Sequence, residues 1–207
     1  MYLTAYKADY TRSKIAQALA HAGRMHKLLL EEGFGMSRAD AEVLYRIEKS
    51  SNGYMVFIKS ANKPHPIDGF SIVSQRELKD EDLLKRRKYQ FFIELTPKAS
   101  DHGKFHYIKG DKGDPDLDPR YRRRARRTEW VRKQFEKRGM HITTCNEGEV
   151  QEKYFYHSDN KGGVNGHITS WKYAGTFEIT DEAAFINAFK HGIGVGKAYG
   201  NGMLMLA

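Results

Sequence analysis

The stretch of sequence that decides the fold is HGIGVGKAYGNGMLML, which runs from His191 to Leu206. Five glycines fall within eleven consecutive residues, and Lys197 adds a positive charge among them. Glycine lets backbone N–H groups approach a phosphate without obstruction by a side chain. The stretch is not a Walker A loop, because Ala198 follows Lys197 where Ser or Thr is required, and the dinucleotide fingerprint fails because Lys197 stands where a glycine is needed. A helix C-cap with a tight connection is the simpler alternative, but it would need only one glycine.

Regular elements are predicted on both sides of this stretch. The pattern over residues 181–190 predicts a helix with Phe185, Ile186 and Phe189 facing inward. Alternating or apolar patterns predict four strands, at residues 141–145, 151–157, 167–179 and 203–206. Residues 158–166 (SDNKGGVNG) predict a flexible hairpin loop between the second and third of these strands.

A strongly basic helix is predicted from Pro119 to Arg138, with Asp118 as its N-cap. Its expected inner stripe is Tyr121, Ala125, Thr128, Val131 and Phe135. Six of the eight residues from 120 to 127 are arginine, so like charges repel along the helix and a bound polyanion would relieve the repulsion. A solvated face is the alternative, but such faces normally mix charges of both signs. The residues expected to bind nucleic acid are Arg120, Arg122, Arg123, Arg124, Arg126, Arg127, Arg132 and Lys133, together with Gly194, Gly196 and Lys197.

The first half of the chain carries a second set of elements. Strands are predicted at residues 2–8, 43–47, 54–59, 70–74 and 89–95. Residues 11–32 predict a helix that breaks at Gly23 and stops at Gly33 and Gly35. Residues 75–88 fit either a short helix or a linker, and residues 97–119 predict a long loop.

Each half thus approximates the order β-α-β-β-α-β, which is the ferredoxin-like arrangement. We therefore predict an α+β fold of two tandem ferredoxin-like domains, over residues 1–82 and 83–207. The second helix of the first domain has weak support in the sequence.

Composition narrows the class of protein. The chain has 207 residues and a formal net charge of +9, which favours polyanionic partners because neutralised phosphates release counterions. Its single cysteine, Cys145, can form neither an internal disulfide nor a zinc site built on cysteines. The N-terminal residues lack an apolar signal-like segment, and no run of about 18 apolar residues could span a membrane, so we expect a cytoplasmic protein with no membrane partner.

A candidate catalytic residue is His26, in the sequence Arg24-Met25-His26-Lys27. On a continuous helix His26 would share the face of Leu19 and other apolar residues, and a core histidine is the alternative. A break at Gly23 would re-aim it, and its two cationic neighbours, Arg24 and Lys27, suit a site that handles phosphate. Acidic clusters at residues 80–82 and 114–118 are typical of solvated charge, so we expect no metal site and no cofactor.

These features together resemble the CasE-type CRISPR-repeat endoribonucleases, the processing nucleases of type I-E Cascade complexes. The matching segments are Met1-Tyr-Leu-Thr4, Met25-His26, the strand from Phe91 to Pro97, Glu129-Trp130-Val131 and Gly192 to Leu206. The resemblance implies two ferredoxin-like domains, binding of the repeat stem-loop and cleavage at the 3′ base of the stem. It also implies retention of the cut RNA in a complex with other Cascade subunits.

The family histidine falls on His26. Gly23 stands where the family pattern can carry a tyrosine, and Ser37 is the nearest serine. The implied reaction is metal-independent attack of a 2′-hydroxyl on the adjacent phosphate, with His26 as general base or acid and with Arg24 and Lys27 stabilising charge. The alternatives are a non-catalytic RNA-binding subunit with the same fold and, less well supported, a basic protein that binds acidic partners.

Overall fold

The fold consists of two units, each a four-stranded antiparallel sheet with helices on one face. A computed structural model describes residues 1–35, 42–101, 104–108, 118–159 and 162–207. The strands are β1 (Tyr2–Ala8), β2 (Val43–Ser50), β3 (Gly53–Ser60), β4 (Phe70–Glu77), β5 (Lys88–Leu95), β6 (Lys98–Asp101), β7 (Lys104–Tyr107), β8 (Met140–Asp159), β9 (Gly162–Ile179) and β10 (Met205–Leu206). The helices are α1 (Ser13–Ala20), α2 (Ala22–Phe34), α3 (Asp80–Leu84), α4 (Pro119–Glu136) and α5 (Glu182–His191).

The two sheets have the same internal topology. Strands follow one another in space as β2-β3-β1-β4 in the first sheet and as β8-β9-β5-β10 in the second. In both, the first and third strands of the unit lie side by side in the centre, which is the tandem ferredoxin-like arrangement that the sequence predicts. The first unit departs from the full pattern, because residues 61–69, all described, contain no helix between β3 and β4.

The predicted helix break is present but lies two residues before Gly23. His21 adopts an extended conformation (φ −140°, ψ 107°) that ends α1, and its Nδ1 accepts a hydrogen bond from the Arg24 N–H at 3.4 Å. Capping of this kind satisfies a donor that the first turn of a helix leaves open. Gly23 is therefore a residue of the first turn of α2. Gly33 lies inside the helix, and Gly35 (φ 61°) ends it.

Two predictions for the second half are wrong in part. The strands expected at residues 141–145 and 151–157 are one strand, β8, whose pairing with β9 shifts between Glu147 and Val150. A bulge of this kind interrupts the alternating pattern without ending the strand, which explains the error. The loop expected over residues 158–166 is mostly strand as well, because β8 runs to Asp159 and β9 begins at Gly162.

The loop expected over residues 97–119 contains the antiparallel hairpin β6–β7. Residues 102–103 and 109–117 lie outside the described residues. The basic helix ends at Glu136 and not at Arg138. Its expected inner stripe is only half correct, since Val131 and Phe135 are buried while Tyr121 and Ala125 face solvent.

The two units have separate cores that meet along an interface. Leu29, Val56 and Ile58 belong to the first core, and Phe91 and Phe177 belong to the second. The predicted domain boundary between residues 82 and 83 falls inside α3, whose Leu83 packs in the second core. No helix of the described residues is long and apolar enough to cross a membrane.

Candidate active site and nucleic-acid interface

His26 lies on α2, the helix of the first unit that contacts β8 and the glycine-rich stretch of the second. The break at His21 re-aims α2, so that Met25, Leu28 and Leu29 enter the core while His26 remains half-buried one residue from Met25. The imidazole stacks on the ring of Tyr45, with 6.2 Å between ring centroids and 23° between ring planes. His26 is therefore half-buried at the edge of the first core.

Tyr45 connects this histidine to the glycine-rich stretch. Tyr45 is 1% exposed, and its hydroxyl lies 3.1 Å from the carbonyl oxygen of Ala22 and 3.2 Å from that of Ala198. Ala22 is the first residue of α2, and Ala198 lies in a 3₁₀ turn over Lys197–Tyr199. One side chain thus contacts the helix of the candidate catalytic residue and the loop of the other unit.

Aromatic side chains of the second unit approach the start of α2. The rings of Phe155 and Tyr199 stack at 4.4 Å with 8° between their planes. A Cβ added to Gly23 would lie 3.4 Å from Cε1 of His21 and 3.9 Å from the Cβ of Phe155. The position that can carry a tyrosine in the resembling family is therefore open to a small side chain but is bordered here by His21 and Phe155. Ser37 lies outside the described residues.

The two cationic neighbours of His26, Arg24 and Lys27, project from different sides of α2 than His26 does. At about 100° per residue, Arg24 projects roughly 200° and Lys27 roughly 100° away from His26 around the helix. The Arg24 guanidinium donates to Oε1 of Gln17 on α1 at 2.7 Å. Lys27 is exposed and pairs with Glu31 at 3.7 Å. Of the two, Lys27 has the looser contact and the smaller angle to His26.

The arginines of α4 fall into two groups. The first group contacts β8: Arg127 makes a bidentate ion pair with Glu147 at 2.6 and 2.7 Å, Arg124 donates to the Glu147 carbonyl at 2.7 Å, and Arg132 donates to the Ile142 carbonyl at 2.8 Å. The Arg127–Glu147 pair is shielded from water, with exposed side-chain fractions of 13% and 6%. Its hydrogen bonds raise the pKa of Arg127 further. These arginines hold the helix on the sheet.

The second group faces solvent. Arg123 and Arg126 are exposed, Arg122 is half-buried, and Arg120 pairs with Asp118, the residue that caps the helix start. Lys133 is exposed and pairs with Glu129 at 3.4 Å. The outer surface of α4 therefore keeps a dense positive charge, which suits the phosphates of a nucleic acid.

The glycine-rich stretch is a closed loop held by its own backbone. All five of its glycines have φ between 75° and 80°. The Ile193 N–H donates to the Gly202 carbonyl at 2.9 Å, and the Gly202 N–H donates to the Glu94 carbonyl at 2.8 Å. A Cβ on Gly202 would lie 2.4 Å from the Ile193 oxygen, so both the backbone conformation and the space require glycine there. The backbone conformation of the loop therefore accounts for these glycines without any bound ligand.

The outer half of the same loop, residues 194–197, is half-buried. Within the described part of the chain, the N–H groups of residues 194–197 donate to no backbone carbonyl. Burial lowers the pKa of Lys197, and the charge of Arg138 adds to the effect. A Cβ on Gly194 would lie 3.8 Å from the ring of Trp130 on α4, so the loop lies beside the basic helix.

A buried polar cluster that the sequence analysis did not predict fixes the loop to the sheet. Glu94 accepts a hydrogen bond from the Ser170 hydroxyl and pairs with Lys153 at 2.8 Å. Lys153 also donates to Asn201 Oδ1 at 2.7 Å, and Asn201 Nδ2 donates to Thr96 Oγ1 at 3.0 Å. Burial lowers the pKa of Lys153, and the neighbouring Glu94 opposes that shift. A glutamate inside the apolar strand FFIEL was the available signal in the sequence.

Among the described residues, no group of three His, Cys, Asp or Glu side chains is placed to hold a metal ion.

Comparisons with known proteins agree with this architecture. The model of a family described as CRISPR associated protein matches residues 1–207. No curated protein matches the chain significantly.

Several solved structures are similar over the full length of the chain. CRISPR endoribonuclease Cse3 bound to a 19-nucleotide RNA has a TM-score of 0.81 at 17% identity, with 100% of both chains covered. Thermus thermophilus Cse3 bound to an RNA representing a pre-cleavage complex has a TM-score of 0.71 at 18% identity, covering 100% of this chain and 98% of the other. A chain of a CRISPR RNA-guided surveillance complex, pre-nicking, has a TM-score of 0.71 at 18% identity, covering 100% and 99%. At these identities the similarity establishes the double fold.

Proposed function

Because the chain belongs to the CRISPR associated protein family, whose model spans residues 1–207, we propose that it is an endoribonuclease that processes CRISPR repeat RNA. The observation that carries the proposal is the position of His26, whose imidazole stacks on Tyr45, the residue that hydrogen-bonds to the glycine-rich loop. The solvent-facing arginines of α4 and residues 194–197 supply a phosphate-binding surface in that unit. Similar chains have been solved in complex with RNA, which supports the same assignment.

The proposed substrate is the stem-loop of a CRISPR repeat, cut at the 3′ base of the stem as the family resemblance implies. Duplex RNA is recognised mostly by shape and backbone, because its major groove is deep and narrow. Arg122, Arg123 and Arg126 on the outer face of α4 would bind the stem phosphates, with Lys197 and the N–H groups beside it at the neighbouring backbone. Arg124, Arg127 and Arg132 support this surface by fixing α4 to β8.

The proposed reaction is transesterification within the RNA. The 2′-oxygen bonds to the adjacent phosphorus as the bond to the 5′-oxygen breaks, giving a 2′,3′-cyclic phosphate and a 5′-hydroxyl. The 2′-hydroxyl loses its proton and the leaving 5′-oxygen gains one, and His26 performs one of these two transfers as general base or acid. Such a transfer contributes about 10²–10⁴-fold to a rate. Lys27 suits the role of stabilising the charged phosphorane better than Arg24, whose guanidinium contacts Gln17.

Assembly with other subunits is part of the proposal. A similar chain is found in a CRISPR RNA-guided surveillance complex. We infer that this chain keeps the cut RNA and joins further Cascade subunits on it.

The decisive experiment measures single-turnover cleavage of a repeat stem-loop RNA in EDTA. We expect cleavage of the all-ribose RNA, no cleavage when the nucleotide before the cut carries 2′-deoxyribose, and a loss of about 10²–10⁴-fold in His26→Ala. His65→Ala, which removes an exposed histidine of the same unit, is the matched control and should cleave at the wild-type rate. Strict dependence on a metal ion, or cleavage of the deoxy substrate, would refute the mechanism. Tight binding without cleavage would favour a non-catalytic RNA-binding subunit.

A further inference from the structure

We propose that Tyr45 is a positioning residue for the reaction, which holds the His26 imidazole through its ring and ties α2 to the glycine-rich loop through its hydroxyl. The inference rests on the proposed function. Tyr45 acts through His26 and not on the RNA, since it is 1% exposed and belongs to the first core.

The ring of Tyr45 is held from two sides. The imidazole of His26 stacks on it at 6.2 Å and 23°. On the loop side, a Cβ added to Gly200 would lie 3.1 Å from Cε2 of Tyr45, so the Gly200 backbone packs closely on the ring. Because the second unit prevents the ring from turning away, the ring offers His26 a fixed flat surface.

The hydroxyl of Tyr45 hydrogen-bonds to both units, on one side to the helix that carries His26 and on the other to the glycine-rich loop. Its single proton is shared between the carbonyl oxygens of Ala22 at 3.1 Å and Ala198 at 3.2 Å. Ala22 opens α2, four residues before His26, and Ala198 lies beside Lys197 in the proposed RNA-binding loop. Burial raises the pKa of Tyr45, so the hydroxyl stays a donor at any pH used for cleavage.

This arrangement predicts a specific kind of defect. Proton transfer requires His26 within hydrogen-bond reach of the reacting oxygen, and a displacement of about 1 Å can cost about 10²-fold in rate. The solvent-facing arginines of α4, which would carry most of the RNA affinity, do not depend on Tyr45. Loss of Tyr45 should therefore slow cleavage while leaving RNA binding nearly unchanged.

The test compares Tyr45→Phe, which keeps the ring, with Tyr45→Leu, which removes it. The control is Tyr6→Leu, because Tyr6 is equally buried in the same core but packs edge-on against Phe70 and not against His26. Single-turnover cleavage rates and RNA dissociation constants are measured at temperatures where each variant is folded. We expect about tenfold slower cleavage for Tyr45→Phe, at least hundredfold for Tyr45→Leu and at most threefold for Tyr6→Leu, with every dissociation constant within threefold of wild type.

The inference fails if Tyr45→Leu cleaves as fast as Tyr6→Leu, or if its defect lies wholly in the dissociation constant. Should Tyr45→Leu not fold, the isosteric Tyr45→Phe decides, and a wild-type rate for it would overturn the proposal. These outcomes are separate from failure of the proposed function, which would show as absent cleavage by wild type or full activity of His26→Ala.

Discussion

Cys145 is a residue whose reactivity is set by the fold. Its thiol is half-buried on β8, and burial, with Glu147 nearby, raises its pKa to about 11. Only the thiolate is nucleophilic, and the pKa of this thiol is raised from an ordinary value of 9.0, so the native thiolate fraction at pH 7.5 should be about 100-fold lower than in an unfolded chain. We expect alkylation by iodoacetamide to be slower by about that factor in native protein than in urea-unfolded protein, measured by mass spectrometry. Native and unfolded rates within tenfold of each other would contradict the prediction.

The sequence locates His26 but not the residues around it. Two flanking cations and a nearby glycine make His26 conspicuous in the chain, whereas Tyr45 is one of several β-forming residues in β2. The contact between them depends on how α2 packs on the sheet, and the bond to Ala198 spans 153 residues. Such contacts come from tertiary packing and leave no local pattern.

At the scale of elements, different arginines of α4 have different functions: some hold the helix on the sheet, and others face solvent and are proposed to bind RNA. Replacing Arg127 by Gln would leave Glu147 buried without its bidentate partner, and breaking a buried pair in this way costs about 3 kcal/mol. Replacing Arg123 by Gln removes only an exposed charge. We expect Arg123→Gln to keep the wild-type urea midpoint and to reduce the slope of log Kd against log salt by about one, as for one lost phosphate contact.

The two variants, Arg123→Gln and Arg127→Gln, are controls for each other. Arg127→Gln should lower the free energy of unfolding in urea and keep the wild-type salt slope at temperatures where it is folded. A reduced salt slope in Arg127→Gln at full stability would mean that Arg127 contacts phosphate and that the division of α4 is wrong.

The ends of the helices and strands show which local sequence patterns predict structure correctly. Glycine predicts a weak point in the first helix, but the break occurs at His21 because its side chain can cap the next helix. The bulged strand β8 looks like two strands, since residues near Glu147 and Val150 lose the alternation while keeping the pairing with β9. Caps and bulges are set by one or two residues, so periodicity places the elements but not their ends.

For the whole molecule, repetition of one pattern made the fold predictable. Two copies of β-α-β-β-α-β fix both sheets, and the helix missing between β3 and β4 is the position where the sequence also gave weak support. The interface between the units was not predictable, because its key groups are single polar residues inside apolar strands. Lys59 in YMVFIKS is the clearest of them.

Lys59 joins the two units from inside the interface. It is 1% exposed, and its Nζ donates to the carbonyl oxygens of Phe189 at 2.9 Å and Leu204 at 2.7 Å. The same nitrogen lies 3.2 Å from the centroid of the Phe189 ring. Burial nevertheless lowers the pKa of Lys59 well below its ordinary value. At neutral pH the folded protein therefore bears a cost for burying this amine.

That cost should decline as the pH rises. Between the lowered native pKa and the unfolded value near 10.4, the unfolded chain binds more protons than the native one, so stability increases with pH by at most about 1.4 kcal/mol per unit. Lys59→Met lacks this contribution, so we expect the gap in unfolding free energy, wild type minus Lys59→Met, to become more positive from pH 7 to pH 9 in urea titrations. Lys7→Met, which removes an exposed lysine, should give a gap that does not change with pH. A constant gap for Lys59→Met would mean that the two carbonyls and the ring stabilise the charged amine enough to offset its burial.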